Sequence, residues 1–173
     1  LSNVRDTPRA LDFLITKKSK DLFKRNGVLN EIEIRARHEI MLENYIMKVQ
    51  IEARVIGDLA LNHIIPTAII YQNKLIQNAN GLMGLGINSD DIIETIEELS
   101  KYVSTIKKLT KEMVEERREI NKMENSRSRA IAYCDKVKDK YFDQIRYAVD
   151  KLELLVDDED WPLVKYRELL FLR

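Results

Sequence analysis

The sequence predicts an all-α fold, and three observations carry that prediction. Only 5 of its 173 residues are Gly and 3 are Pro, too few for the many turns of a β fold. Apolar residues make up 45% of the chain and charged residues 34%, the mixture of amphipathic helices rather than of disorder. Apolar positions recur at alternating spacings of three and four over three long stretches. The expected architecture is an elongated antiparallel helical bundle. It is built on one long kinked helix and a long helical hairpin, with short helices at the termini. The expected divisions are 1–29 for the short leading helices, 30–156 for the bundle and 157–173 for a tail that packs back on it.

Residues 1–6 read as irregular. Thr7-Pro8 reads as a helix start, with Thr7 as the cap and Pro8 at the first helical position, where its missing N–H is not needed. Ala10, Leu11, Leu14 and Ile15 then line one side of a short helix. Thr16 to Arg25 reads as a second, with Leu22 and Phe23 facing inward, and Asn26-Gly27 stops it because Gly accepts the left-handed conformation. Val28 is placed to dock against the first turn of the next helix.

The long helix is expected over 30–79. Asn30 and Glu33 have the spacing of a capping box. Leu42, Ile46, Val49, Ala53, Ile56, Ala60 and His63 form one stripe, and Met41, Tyr45, Val55 and Leu59 widen it. Pro66 removes one backbone bond, but the apolar pattern from Thr67 to Ile76 continues, so a kink is expected; a break at Ile65 is the alternative. Gly81, Gly84 and Gly86 mark residues 80–88 as a loop, without the Lys-Ser/Thr of a phosphate-binding loop.

The hairpin is expected over 89–156. Ser89 or Asn88 caps its first helix, and Asp90 and Asp91 suit the positive end. The first apolar seam runs Ile92, Ile96, Leu99, Val103, Ile106, Met113, Ile120 and Met123, interrupted by Thr110 and Arg117. A turn falls within Asn121 to Ser128. The second seam runs Ala130, Cys134, Val137, Tyr141, Ile145, Ala148, Leu152 and Leu155. The acidic run Asp157 to Asp160 ends the hairpin, since acids are unfavourable at a helix C-terminus. Trp161-Pro162 opens a tail, ending Phe171-Leu172-Arg173, that is expected to fold over the short N-terminal helices.

Lys+Arg and Asp+Glu both total 29, so the chain lacks the basic excess of a nucleic-acid binder or a polybasic membrane anchor. Near-zero charge permits self-association. No uninterrupted apolar run approaches the roughly 20 residues of a membrane span. No signal peptide is visible, and the first residue, Leu1, fits a processed chain or a fragment of a longer one.

No catalytic, cofactor-binding or metal-binding residue is assigned. Cys134 reads as a small buried residue on a helix face and His63 as a core histidine. His38-Glu39 lacks the second histidine of a zinc-protease helix. Arg35 and Ala60 stand where the di-iron bundles place Glu three residues before His. Glu31–Arg35 and Glu33–Arg37 are spaced for ion pairs on a solvated face.

Four stretches carry a family resemblance: NVRDTPRALDFL from Asn3, the segment from Leu22 (LFKRNGVLNEIEIRARHEIMLENYIM) through to Asn73, Tyr141 to Glu153, and LVDDEDWPLVKYRELLF from Leu155. Together they resemble the C-terminal region of type III glutamine synthetases. The resemblance is strongest over 3–73 and 146–171 and weakest in the hairpin. Where that family tends to have Trp-Pro-x-Pro-x-Tyr, this chain has Trp161-Pro162-Leu163-Val164-Lys165-Tyr166, without the second proline. The resemblance implies a cytoplasmic parent enzyme, a double-ring dodecamer that ligates ammonia to glutamate with ATP and Mg or Mn. Its catalytic barrel would precede this region. The fragment itself would be non-catalytic and hold no cofactor. Its partners would be the catalytic domain of the same polypeptide and neighbouring subunits, and its role assembly or regulation. The alternatives are a free-standing helical adaptor and a metal enzyme on a bundle scaffold.

Overall fold

The computed structural model describes residues 3–170, with Tyr166 and Arg167 described in backbone alone. The chain is all-α, with no strand among the described residues. It divides into two compact units, one of residues 1–54 and 112–142, the other of 55–111 and 143–173.

The first unit opens with α1 (Thr7–Leu11), a 3-10 turn (Asp12–Ile15) and α2 (Lys17–Arg25). Asp6 caps α1, its carboxylate accepting from the Arg9 amide at 2.8 Å, so the cap lies one residue before the expected Thr7. Asp is the stronger cap, and Pro8 still sits in the first turn, where no N–H is required. Thr16 caps α2. The stop at Asn26-Gly27 holds: Gly27 has φ 63°, its amide donates to the Lys24 carbonyl, and Val28 donates to that of Phe23. These two bonds are the pair that closes a helix on a left-handed residue. Leu22, Val28 and Ala10 do not turn inward; Leu22 and Val28 are 48% and 61% exposed. Helices of five and nine residues are too short to shelter every apolar side chain.

α3 (Glu31–Leu59) starts on the expected capping box. The Glu33 amide donates to Asn30 Oδ1 at 2.9 Å and the Asn30 amide to Glu33 Oε2 at 2.7 Å. Ile34, Leu42, Ile46, Val49 and Ala53 are buried, with Met113 and Ile120 of α5 (Asp90–Ile120). α6 (Ser126–Ala132) follows the turn at 121–125, and a π-helical stretch (Tyr133–Phe142) continues from it. Tyr133, Cys134, Val137 and Tyr141 of that stretch complete the first core. The wide turns of 133–142 were not expected, and nothing in this Gly- and Pro-free sequence marks them. Met123, placed on the seam from sequence, lies in the turn and is 36% exposed.

The second unit takes the chain from Val55. Between Leu59 and Ile65 the helix makes a π-turn (Ala60–Ile64), with the Ile65 amide reaching back five residues to the Ala60 carbonyl. α4 (Ile65–Gly84) follows directly, so the helix passes Pro66 without the alternative break at Ile65. The wide turn accommodates the proline, whose ring would otherwise meet the carbonyl four residues back. The inserted residue also rotates the core register. His63 is exposed, contrary to expectation, and Ile64, Ile65 and Ala68 are buried instead.

α4 also runs five residues past the expected end, so Gly81 and Gly84 lie in helix rather than loop. Gly86, at φ 72°, ends it, with its own amide on Met83 and the Ile87 amide on Leu82. Only the φ-positive glycine is needed for that closure. Asn88 Oδ1 accepts from the Asp90 amide, and Ser89 accepts the first helical bond of α5 from Ile93. Gln72 donates to the Ile96 carbonyl and to Ser100, which pairs α4 with α5 at similar distances from the turn. Leu99, Val103, Ile106 and Thr110 are buried, as are Ile145, Ala148 and Leu152 of α7 (Asp143–Leu155).

The acidic run ends α7 as expected. Asp160 bonds Lys74 of α4, and Lys165 bonds Asp158 and the Glu153 carbonyl. The tail, with a last short helix α8 (Tyr166–Leu170), thus belongs to the second unit, whereas the N-terminal helices expected to receive it belong to the first. Phe171, Leu172 and Arg173 lie outside the described residues. By length and composition the stretch Glu31–Gly84 contains a window apolar enough to cross a membrane, with 33% of that window buried. Arg54, Asp58, Asn62 and His63 interrupt the apolar run in this part of the helix. Core helices meet the same criterion.

Candidate functional site

α3 is apolar on two opposite sides. Leu42, Val49 and Ala53 are spaced by seven and four and are all buried. Ile40, Met47 and Ile51 have the same spacing, displaced by two residues, and are 57%, 52% and 54% exposed. Two residues turn a helix by about 200°, so the second stripe lies almost opposite the first. Ile32 prolongs it toward the start of the helix and is exposed as well. The charged residues Arg37, Glu39, Glu43 and Lys48 flank this outer stripe. The sequence gives α3 a wide apolar face, and the structure covers only part of it: Met41 and Val55 of the widened face are also half exposed.

Long-range ion pairs hold the N-terminal segment in the same unit. Arg9 grips Asp135 through two bonds of 2.9 and 2.7 Å and also reaches Asp6. Arg127 grips Asp12 through two bonds of 2.7 Å. These guanidinium groups hold the Asp135 and Asp12 carboxyls below the usual carboxylate range. Lys20 ties α2 to Glu31 at the start of α3. Deeper in the unit, Gln50 donates to Asn121 and to the Tyr133 hydroxyl, which itself donates to Asn121 at 2.6 Å. That closed ring satisfies the polar tip of a fully buried tyrosine.

The structure buries His38, to which the sequence assigned no burial, rather than the expected His63. His38 is the buried one, its Nε2 lying 3.8 Å from Asp12 Oδ1, beyond a hydrogen bond. His63 faces out. Cys134 is buried as expected, beside the Tyr45 hydroxyl and 3.9 Å from Asp139. Burial pushes the pKa of both the Tyr45 hydroxyl and the Cys134 thiol upward.

Cys134, Asp135 and Asp139 bring ligand atoms within 4.8 Å of one another. Arg9 bonds both Asp135 oxygens, and burial raises the pKa of the Cys134 thiol, which opposes the thiolate a metal would need. A cleft of about 470 Å³ between α1, α3 and the π-helical stretch is lined by Leu11, Met41, Tyr45 and Val49, with Lys48, Glu52 and Lys138 at its rim.

The family model for the glutamine synthetase C-terminal domain matches residues 1–83. Residues 1–83 correspond to a glutamine synthetase C-terminal domain. Similarity to individual synthetases runs along the whole length of the chain. A glutamine synthetase of Bacteroides fragilis is 43% identical over 99% of this chain and 24% of its own. A type-3 glutamine synthetase of Dictyostelium discoideum is 26% identical over 100% of this chain and 24% of its own. A glutamine synthetase of Butyrivibrio fibrisolvens is 24% identical, over 99% and 25%. The chain thus spans about a quarter of the length of the curated relatives it matches. These matches bear out the resemblance read from the sequence, including its type III character. The outer stripe of α3 and the ion-paired N-terminal segment both lie within the matched domain.

Proposed function

We propose that this domain is non-catalytic and supports assembly of a type III glutamine synthetase, by docking the outer stripe of α3 against the catalytic part of the same polypeptide. The observation that carries the reading is the row of Ile32, Ile40, Met47 and Ile51, left open on a helix whose opposite side is already buried. Four side chains fall well short of the roughly 800 Å² per partner of a stable free-standing interface. A tethered partner needs less, because a linker can raise its effective concentration to about the millimolar range. Relatives about four times as long as this chain leave room for such a partner in the same polypeptide. In this reading glutamate, ATP and the divalent metal belong to the catalytic part, in the cytoplasm, and no residue of this domain takes part in the ligation.

The test is Met47→Lys/Ile51→Lys in a full-length synthetase carrying this domain. Two cations pressed into an apolar contact disfavour it by several kcal/mol. The expected result is smaller assemblies by sedimentation and activity reduced about tenfold or more. In the isolated domain the same pair is exposed and leaves the melting temperature nearly unchanged. Wild-type rings and wild-type kinetics in the variant reject the proposal.

A further inference from the structure

Two segments carry charge where their own helices disfavour it. α2 opens on Lys17 and Lys18 with no acid in its first turn, although a helix N-terminus repels cations by about 0.3–1 kcal/mol each. The helix holds Lys17, Lys18, Lys20, Lys24 and Arg25 against Asp21 alone, in a chain of zero net charge. Lys20 is committed to Glu31, whereas Lys17, Lys18 and Arg25 line a shallow cleft of about 660 Å³ with Asp21 and Leu22. At the other end, Asp157, Asp158, Glu159 and Asp160 follow the negative end of α7. Lys165 and Lys74 engage Asp158 and Asp160, while Asp157 and Glu159 remain exposed.

Apolar side chains accompany both patches. Leu22 is 48% exposed in the basic cleft, and Leu154 and Val164 are 78% and 65% exposed on either side of the acidic run. The N-terminal end of α2 adds to the charge of Lys17 and Lys18, and the C-terminal end of α7 adds to that of the acidic run. The cations of the cleft outnumber Asp21, and Asp157 and Glu159 are the acids that no lysine engages among the described residues, so the two patches are complementary in charge.

We propose that the α2 cleft of one copy binds the acidic turn around Asp157 and Glu159 of a second copy, head to tail. The net charges of the two patches, four positive in α2 and four negative in the turn, match in magnitude. Such a contact leaves one free cleft and one free turn on every pair, so it propagates into a ring or a filament. The inference concerns surfaces other than the outer stripe of α3 and does not rest on the proposed docking.

The experiment is sedimentation velocity on the full 173-residue chain at low and high salt, with charge-reversed partners. The wild type associates at 50 mM NaCl, and its dissociation constant rises about tenfold or more at 500 mM. Lys17→Glu/Lys18→Glu/Arg25→Glu and Asp157→Lys/Glu159→Lys each lose self-association, and mixing the two restores it at 1:1. Glu159→Lys alone keeps the Asp157 turn bond and weakens association in the same direction. Circular dichroism melts matching the wild type establish that the variants are folded. A wild type that stays monomeric at 50 mM NaCl, or a mixture that stays monomeric, overturns the proposal. Capture by phosphatidylserine vesicles without self-association overturns it too and assigns the α2 face to lipid.

Discussion

Ile64→Asp destabilises the second unit by about 3–5 kcal/mol, while His63→Asp at the neighbouring position changes stability by less than about 0.5 kcal/mol. Ile64 is 2% exposed in the π-turn ahead of Pro66, and the new carboxylate there would be buried without a partner. His63 is on the solvent side. Against a typical total stability of roughly 5–15 kcal/mol the first change removes a large fraction. Urea denaturation followed by circular dichroism measures both. The reverse order, with His63→Asp the damaging change, would mean that the helix keeps a regular α register past Ala60 and that the wide turn is absent.

Leu42→Ala lowers the stability of the first unit by about 2–5 kcal/mol, through lost apolar transfer and the cavity left behind. Leu42 is 0% exposed, with no room for solvent to fill the gap. Ile40→Ala, two residues earlier on the opposite side of α3, costs under about 1 kcal/mol in the isolated chain, since Ile40 is 57% exposed. Chemical denaturation of the two variants side by side reads the contrast directly. Equal losses would show that the outer stripe is already buried in the isolated chain.

Periodicity and caps made most of the fold legible. The Asn30–Glu33 box, the Gly27 stop, the turn at 121–125 and the seam from Ala130 to Leu152 are all set by neighbours within one or two helical turns, and a sequence shows such neighbours. The π-helical stretches were not legible. Pro66 announced a disturbance, but whether it produces a bend or a wider turn depends on what packs around it. Residues 133–142 announced nothing. The exposure of His63 follows from that same register shift, and His38 is buried where Asp12 arrives beside it from a distant segment.

The Arg9–Asp135 and Arg127–Asp12 pairs join residues more than a hundred positions apart, and no local pattern encodes them. The outer stripe of α3 was visible as excess apolar width. That the width is left open needed coordinates, because a helix with two apolar sides reads the same whether one side or both are covered.

Methionine oxidation tests the docking claim most directly. Met47 is 52% exposed and Met113 is 0% exposed in the isolated domain, and dilute peroxide oxidises accessible thioethers first. Peptide mass spectrometry then compares the isolated domain with an assembled full-length synthetase carrying it. The account predicts that Met47 reacts readily in the isolated domain and becomes as slow as Met113 in the assembly. Equal Met47 rates in the two would contradict it.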